Sequence, residues 1–494
     1  MCGDLRFGLS PCRIAIIQEL DVLGVGDMNL TMARYSHTVA VDRPGALVAL
    51  VSMESESPEL SVRKATGTYD MAVGRPERRF DMKRRGLLKA ASAGAMAIGP
   101  LVTQADSVST DTPHKADVLV IGGGTAGTIA AIQAARAGAK TVLVERGTQL
   151  GGTTTVGGVA FPGLFHAWGK QVISGIGWDL VCKTVAVDGG KLPDFTKPTR
   201  AHWKLQVLIN PFLYAALAEE ACLQAGVTIH YYEFPLSVQA AADGWLVECV
   251  GPGMRRRLAC RQIVDCTGGA DVVGMLKLKR FREKETQPGS MLFKVGDPFH
   301  AGRERLQAVY VHGADSSTSV TRTQATLAGR KAMLKYLRNI SARDGKPARL
   351  VQMQPEAAFR ESYRIAGETV ITHKDYTSGR LFKDAVCNAF YPVDLHTRTG
   401  VRPKQLGKGI VPTVPLRALT PKGSRNILVA GRSVSSDRLA NSGLRVQAAC
   451  MAMGQAAGAT AALAAKRKTT PLKVPFDEIT QLLRDHGAIV PEHS

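Results

Sequence analysis

The stretch Ala116-Asp117-Val118-Leu119-Val120-Ile121-Gly122-Gly123-Gly124-Thr125-Ala126-Gly127 decides the fold. Its first six residues form a continuous apolar run of the length of a buried strand. A glycine turn follows, then a small-residue helix from Thr128 to Ala137, closed by Gly138. A second apolar strand, Lys140 to Val144, ends on Glu145. In this strand–turn–helix–strand–acid unit each position has a physical task. Gly122 permits the tight turn, Gly124 lets the backbone approach a pyrophosphate, and Gly127 allows close helix–strand packing. The helix N-terminus offers unpaired amides and the positive end of its dipole to phosphates, and Thr125 and Ala126 lie in that turn. Glu145 is placed to accept hydrogen bonds from ribose hydroxyls, with Arg146 beside it, and an acid there disfavours a 2′-phosphate.

A fingerprint of this kind serves NAD and FAD alike, and the residues downstream separate them. Leu150-Gly151-Gly152-Thr153-Thr154-Thr155 follows the acid where FAD enzymes carry a Gly-Gly turn against the cofactor. Ile263-Val264-Asp265-Cys266-Thr267-Gly268-Gly269 reads as a strand running into a glycine turn. Asn426-Ile427-Leu428-Val429-Ala430-Gly431-Arg432 reads as another, before a helix-like run from Val446 to Ala465. Further segments are Phe165 to Val172, Gln287-Pro288-Gly289-Ser290, Glu361 to Glu368, Tyr391 to His396 and Gly454 to Gly458. Together they resemble the FAD-dependent oxidoreductases whose flavin module is shared with the heterodisulfide reductase A subunit, over roughly Ala116 to Ala465. The cluster-binding cysteines of that subunit are absent here. The resemblance implies FAD as cofactor, touched by Gly122, Gly124, Thr125, Ala126, Gly127, Glu145, Arg146, Gly151, Gly152, Thr153, Thr267, Gly268, Gly431, Arg432, Arg445 and Val446.

The expected fold is α/β: a Rossmann-like, discontinuous FAD-binding domain with a second, mixed α+β substrate domain. The FAD-binding parts are residues 106–160, 210–281 and 406–465, and the substrate domain is 161–209 with 282–405. Asn210-Pro211 reads as an N-cap with Pro at the first helical position, leading a helix from Phe212 to about Ala225. Trp245 to Val250, then Gly251-Pro252-Gly253 and Arg255 onward, reads as a hairpin. Residues 466–494 form a C-terminal tail.

Flavin chemistry asks little of side chains beyond stabilising charge at the ring and managing substrate protons. Histidine suits the second task because it titrates near neutrality. His166 and His396 both lie in the matched segments, each with a structural role as the alternative. Arg364 is a candidate for holding an acidic substrate or the flavin phosphates. Arg445 is either a fixed positive charge at the flavin edge or a helix-capping surface arginine. Asp394 and Arg438 rank below these.

Composition limits the partners. The 494 residues carry a formal net charge of +21. The basic residues are scattered without an aromatic-basic module, which argues against nucleic acid and for anionic cofactors or substrates. The nine cysteines contain no CxxC pair, so no metal site is expected. Met82-Lys83-Arg84-Arg85-Gly86-Leu87-Leu88-Lys89 precedes an apolar stretch, Ala90 to Val102, that ends at Thr103-Gln104-Ala105. The stretch is too short for a good membrane span and resembles a twin-arginine export signal over 82–105. It implies a periplasmic or secreted protein with no stable span once the signal is removed. Residues 1–81 are then an upstream stretch ahead of a true start at Met82, or a genuine extension.

The expected activity is hydride transfer between a small organic substrate and FAD, with an electron acceptor that the sequence does not name. Two alternatives share the fold: a flavin monooxygenase using NAD(P)H and oxygen, and a non-catalytic flavin-binding electron carrier.

Overall fold

The computed structural model describes residues 35–40, 48–53, 113–196, 202–296 and 304–492. Two compact units result, Met1–Leu101 and Val102–Ser494. In the first, Tyr35–Ala40 and Val48–Met53 pair as an antiparallel hairpin. The twin-arginine segment, 82–105, lies outside the described residues.

The second unit is α/β and is built on a seven-stranded sheet. Strand β1 (His114–Ile121) leads through Gly122–Gly124 into helix α1 (Thr125–Arg136) and strand β2 (Thr141–Glu145). The helix starts three residues before the apolar pattern suggests, because Gly124 is its N-cap and Thr125-Ala126-Gly127 already form its first turn. Helix α2 (Ile176–Val187) and helix α3 (Pro211–Gln224) follow. The cap of α3 is as expected: Asn210 accepts from the Phe212 and Leu213 amides, with Pro211 at the first helical position. Strands β3 (Thr228–Tyr231), β4 (Phe234–Ala241), β5 (Gly244–Gly251) and β6 (Met254–Asp265) complete most of the sheet.

Strand β6 has two roles that the sequence suggested were separate. Its first half, Met254–Cys260, pairs antiparallel with β5, while Leu258–Asp265 lies parallel to β1. The return arm of the hairpin and the strand leading to Thr267-Gly268 are therefore one twelve-residue strand. Its last four residues, Gln262 to Asp265, are all buried, the pattern of a strand covered on both faces. Strands β1, β2 and β3 run parallel beside it.

The inserted segment forms a three-stranded antiparallel sheet from β7 (Gly289–Val295), β8 (Arg305–Val311) and β9 (Leu350–Met353). Helix α4 (Ser319–Asp344) covers it over a small core of Met291, Phe293, Val311, Ala325, Met333 and Phe359. Gly329 lets the two surfaces meet, since a Cβ there would lie 3.0 Å from the Met291 Cβ. Residues 161–209 pack differently. Phe165, Ile173, Ile176, Leu180 and Val181 are buried in the same core as α1.

Strand β10 (Ile427–Val429) adds to β6 in parallel, and helix α5 (Gln447–Lys466) crosses α1 in the core. The crossing explains the small residues of both helices. A Cβ on Gly454 would meet the Ala126 carbonyl oxygen at 2.2 Å, and one on Gly458 the Ala130 oxygen at 2.3 Å. Helix α5 is also the one helix among the described residues long and apolar enough to cross a membrane by composition; 89% of that window is buried within the protein. The C-terminal residues are not a loose tail. Helix α6 (Phe476–Asp485) docks through Ile479 and Leu483, and Gln455 donates to the His486 carbonyl.

Candidate cofactor and active site

Register aligns the parallel strands at one edge. Ile121 pairs with Val144 and with Asp265, and Asp265 pairs with Val429. The turns after these strands therefore open side by side: Gly122–Gly124, Glu145, Cys266–Gly268 and Ala430–Arg432. Such a carboxyl edge is where open α/β sheets bind ligands.

The glycines of the fingerprint divide by what a side chain would meet. A Cβ on Gly122 would lie 2.6 Å from the Cys266 carbonyl oxygen, and one on Gly127 would lie 1.8 Å from that of Gly122. These two serve packing. Gly124 has an ordinary φ of −69°, and only the Gly152 Cα lies within 4 Å of its Cβ direction, at 3.9 Å. Space stays open there beside a helix N-terminus with no side-chain cap. Those are the features a pyrophosphate needs.

The Gly-Gly turn is bound to this cradle. Gly151 donates to the Gly123 carbonyl at 2.9 Å and bridges Gly124, while Thr125 Oγ1 donates to the Gly151 carbonyl at 3.1 Å. Thr154, rather than Thr153, makes the side-chain connections, to Thr125 Oγ1 and to Gln447 Oε1 at 2.7 Å. Glu145 accepts from the Gly123 and Gly147 amides, both at 2.7 Å, with its two oxygens. These bonds fix the carboxylate at the end of β2, and each oxygen keeps a lone pair for a ribose hydroxyl.

Thr267 and Arg432 use their side chains on the protein. Thr267 Oγ1 donates to Asp265 and accepts the Asp271 amide. Burial and Asp271 push the Asp265 carboxyl up to about 6. Arg432 donates to the carbonyls of Gly268 at 2.5 Å and Phe359 at 2.9 Å and to Ser316 Oγ at 2.7 Å. It thereby clamps the two strand-end turns to the inserted segment. Burial, with Arg322 and Arg146 nearby, lowers its pKa to about 10.

A second group of residues gathers ahead of α5. Val446 is the N-cap of that helix and Arg445 ends the short helix before it. The Ala448 amide donates to Pro162, so part of the helix terminus is already satisfied. Arg445 Nη2 donates to the Asp394 carbonyl at 3.2 Å and lies 3.6 Å from its carboxylate. His396 Nε2 stands 3.0 Å from the same carboxylate, and Nδ1 stands 2.8 Å from the Tyr310 hydroxyl. Gln287 accepts the His396 amide at 3.0 Å and donates from its own amide group to Glu361, which Arg438 pairs at 2.7 Å.

The protonation states follow. Burial works to raise Asp394, but the His396 hydrogen bond and Arg445 outweigh it and leave the carboxyl below its usual range. For His396 burial dominates, with Arg360 and Arg445 acting alongside, and lowers its pKa against the pull of Asp394. His396 is thus neutral at pH 7. Its partners assign the proton to Nε2, facing Asp394, so Nδ1 accepts from Tyr310.

The structure brings His396, Arg445, Asp394 and Arg438 into one network and leaves His166 and Arg364 out of it. His166 stacks on Phe195 with ring centroids 3.7 Å apart, edge-on to Trp178, and its buried Nδ1 has no partner. Arg364 is buried, donates to the Ser436 carbonyl and is met at 2.6 Å by Glu283, so its charge is already compensated. Sequence reasoning missed Tyr310, which sits in β8 with no motif around it. Gln287 and Glu361 lay in matched segments without a role.

Fold, glycine cradle and acid together define an FAD-binding enzyme of the Rossmann-like class. The family model described as FAD dependent oxidoreductase matches residues 117–308 and 276–483, and the chain belongs to that family. Among curated proteins it is similar to a mitochondrial dihydrolipoyl dehydrogenase of Canis lupus familiaris, 46% identical over 74 residues, which is 15% of this chain and 14% of that protein. Among solved structures it is similar to the anhydrotetracycline hydroxylase OxyS from Streptomyces rimosus (14% identity, 70% of this chain and 62% of that one, TM-score 0.38). It is also similar to a flavoprotein/dehydrogenase from Cytophaga hutchinsonii (16% identity, 74% and 83%, TM-score 0.39). The chain spans less than two thirds of the length of the dehydrogenase and of the hydroxylase.

Proposed function

We propose that this chain is an exported FAD-dependent oxidoreductase that transfers a hydride between a small organic substrate and FAD, with His396 managing the substrate proton. The observation that carries the reading is the hydrogen-bonded series Tyr310–His396–Asp394, locked by Arg445 ahead of α5. Bound FAD supplies two-electron chemistry at its ring system. Gly124, Gly151, Gly152 and Glu145 would hold the cofactor's diphosphate and ribose. The Tyr310 oxygen takes a proton from substrate as its own passes to His396 Nδ1, and Asp394 stabilises the imidazolium formed. In the reverse direction the same groups return the proton. The match to the FAD dependent oxidoreductase family supports flavin chemistry. We assign residues 282–405, which hold Tyr310, Asp394 and His396, to the substrate side. The test is rapid mixing of the purified yellow protein with candidate donors under anaerobic conditions. Bleaching by an organic donor supports the reading; bleaching by NAD(P)H alone, with oxygen-dependent hydroxylation, refutes it.

Arg445 has a separate role in this reading. A fixed guanidinium at the head of α5 would favour negative charge on a bound flavin. Arg445→Met is expected to lower the midpoint potential, making reduction harder with every donor alike. A dye-coupled redox titration measures it, and an unchanged potential removes Arg445 from the flavin edge.

Export rests on the Arg84-Arg85 pair and the apolar stretch behind it. A chain beginning at Met82 should reach the periplasm of a suitable bacterial host. Replacing both arginines by lysine should leave it in the cytoplasm. A native protein that starts at Met1 and stays cytoplasmic overturns the assignment.

A further inference from the structure

Charge around His396 does not balance, and the imbalance points to a ligand. Arg360 lies beside the network, with its guanidinium 5.5 Å from the centre of the Tyr310 ring. It donates only to neutral acceptors, the Pro288 carbonyl at 2.5 Å and Ser290 Oγ at 3.1 Å. Arg445 is close enough for its charge to act on Arg360, and its own buried Nε has no partner. One carboxylate serves both guanidiniums. That is Asp394, which already receives His396 Nε2 at 3.0 Å. The other acid of the network, Glu361, is hydrogen-bonded by Arg438 and Gln287 and reaches Arg445 only through its charge. Burial and the like charge of Arg445 push Arg360 down to about 10, so its neighbourhood is hostile to a lone cation.

Two partly desolvated guanidiniums sharing one carboxylate are expensive unless an anion joins them. An ammonium could hold a point charge, but two planar forks suit a carboxylate. An open depression of about 520 Å³ is lined by His312, Gly313 and Arg398, the last of which pairs with Glu285 at 2.7 Å. His312 follows Tyr310 by two residues and packs edge-on to its ring, and Arg398 follows His396 by two. The volume suits a small organic molecule.

We propose that Arg360 and Arg445 form a carboxylate-binding site beside Tyr310, so that the substrate of this enzyme is a small organic acid. The inference rests on the reading of the chain as an FAD-dependent oxidoreductase with its proton-handling groups at His396. In that arrangement the two guanidiniums hold the carboxylate while the Tyr310 hydroxyl faces the adjoining carbon.

The experiment titrates the FAD-loaded protein with sodium succinate and, separately, with succinamide, its uncharged analogue. Perturbation of the flavin absorbance and calorimetric heat are both read. Saturable binding of succinate without binding of succinamide is expected. Arg360→Met should weaken succinate at least about thirtyfold, as expected when one partner of a desolvated ion pair is truncated. Arg360→Lys should recover part of that loss by restoring charge without the fork. Arg343→Gln, which removes a surface charge paired with Asp344, should bind as wild type does. Equal responses to succinate and succinamide, or succinate binding unchanged in Arg360→Met, overturn the carboxylate site while the flavin reading stands. The wild-type comparison decides the matter even if a variant does not fold. A purified chain that retains no FAD overturns both.

Discussion

A Gly124→Val protein is expected to fold, elute as the wild type does, and be colourless. The Cβ of residue 124 meets only the Gly152 Cα, at 3.9 Å, and the backbone there is one that any residue adopts. An isopropyl group therefore costs the free chain little, yet it fills the space where the pyrophosphate must lie against the amides of α1. Gly127→Val contrasts with it, because its Cβ would sit 1.8 Å from the Gly122 carbonyl oxygen. That variant should fail at folding, since a backbone carbonyl cannot turn aside as a flexible side chain does. Circular dichroism with flavin absorbance separates the outcomes. A soluble Gly124→Val protein with full FAD occupancy would remove the cradle from the assignment.

His396→Ala should keep its yellow colour and lose its speed. General acid–base groups contribute on the order of 10²–10⁴-fold, and flavin reduction should slow by that much with occupancy unchanged. The wild-type rate should also depend on pH in a defined direction. Burial holds His396 below its ordinary value of 6.5, and it accepts a proton only when neutral. The reduction rate is therefore level above neutrality and falls as pH drops through the depressed pKa, and that limb disappears in His396→Ala. Tyr310→Phe should match His396→Ala, because the two act as one relay and their losses do not add. A Tyr310→Phe enzyme as fast as wild type would show that His396 reaches the substrate directly. A His396→Ala enzyme that keeps the wild-type rate and pH profile would remove the relay altogether. His166→Ala, made in parallel, should change the rate little, since His166 lies against Phe195 and Trp178 outside the network.

Residues close together in the chain wrote most of what was legible beforehand. The cofactor unit occupies Ala116 to Glu145, and its strand, turn and helix obey periodicities and glycine requirements that neighbouring residues express. The cap at Asn210-Pro211 and the glycine turns after β6 and β10 are local in the same way. The continuity of β6 was harder to see. Its exposed antiparallel half and its buried parallel half have different burial patterns, and no turn residue separates them.

By itself, then, the sequence determined the nucleotide-binding fold, the choice of FAD and the family-wide chemistry, because each rests on spacings of a few residues. The tertiary structure decided which candidates meet. Tyr310 reaches His396 across 86 positions, Gln287 reaches it across 109, and Arg445 reaches Asp394 across 51. No local pattern marks such pairs, since the energy of a buried hydrogen bond depends on what the fold brings near and not on the residues beside it in the chain. The same folding left His166 among aromatic rings and gave Arg364 to Glu283. Two residues of equal promise to His396 and Arg445 in the sequence were thereby parted from them, because burial and partners, not residue type, set what an ionisable group can do.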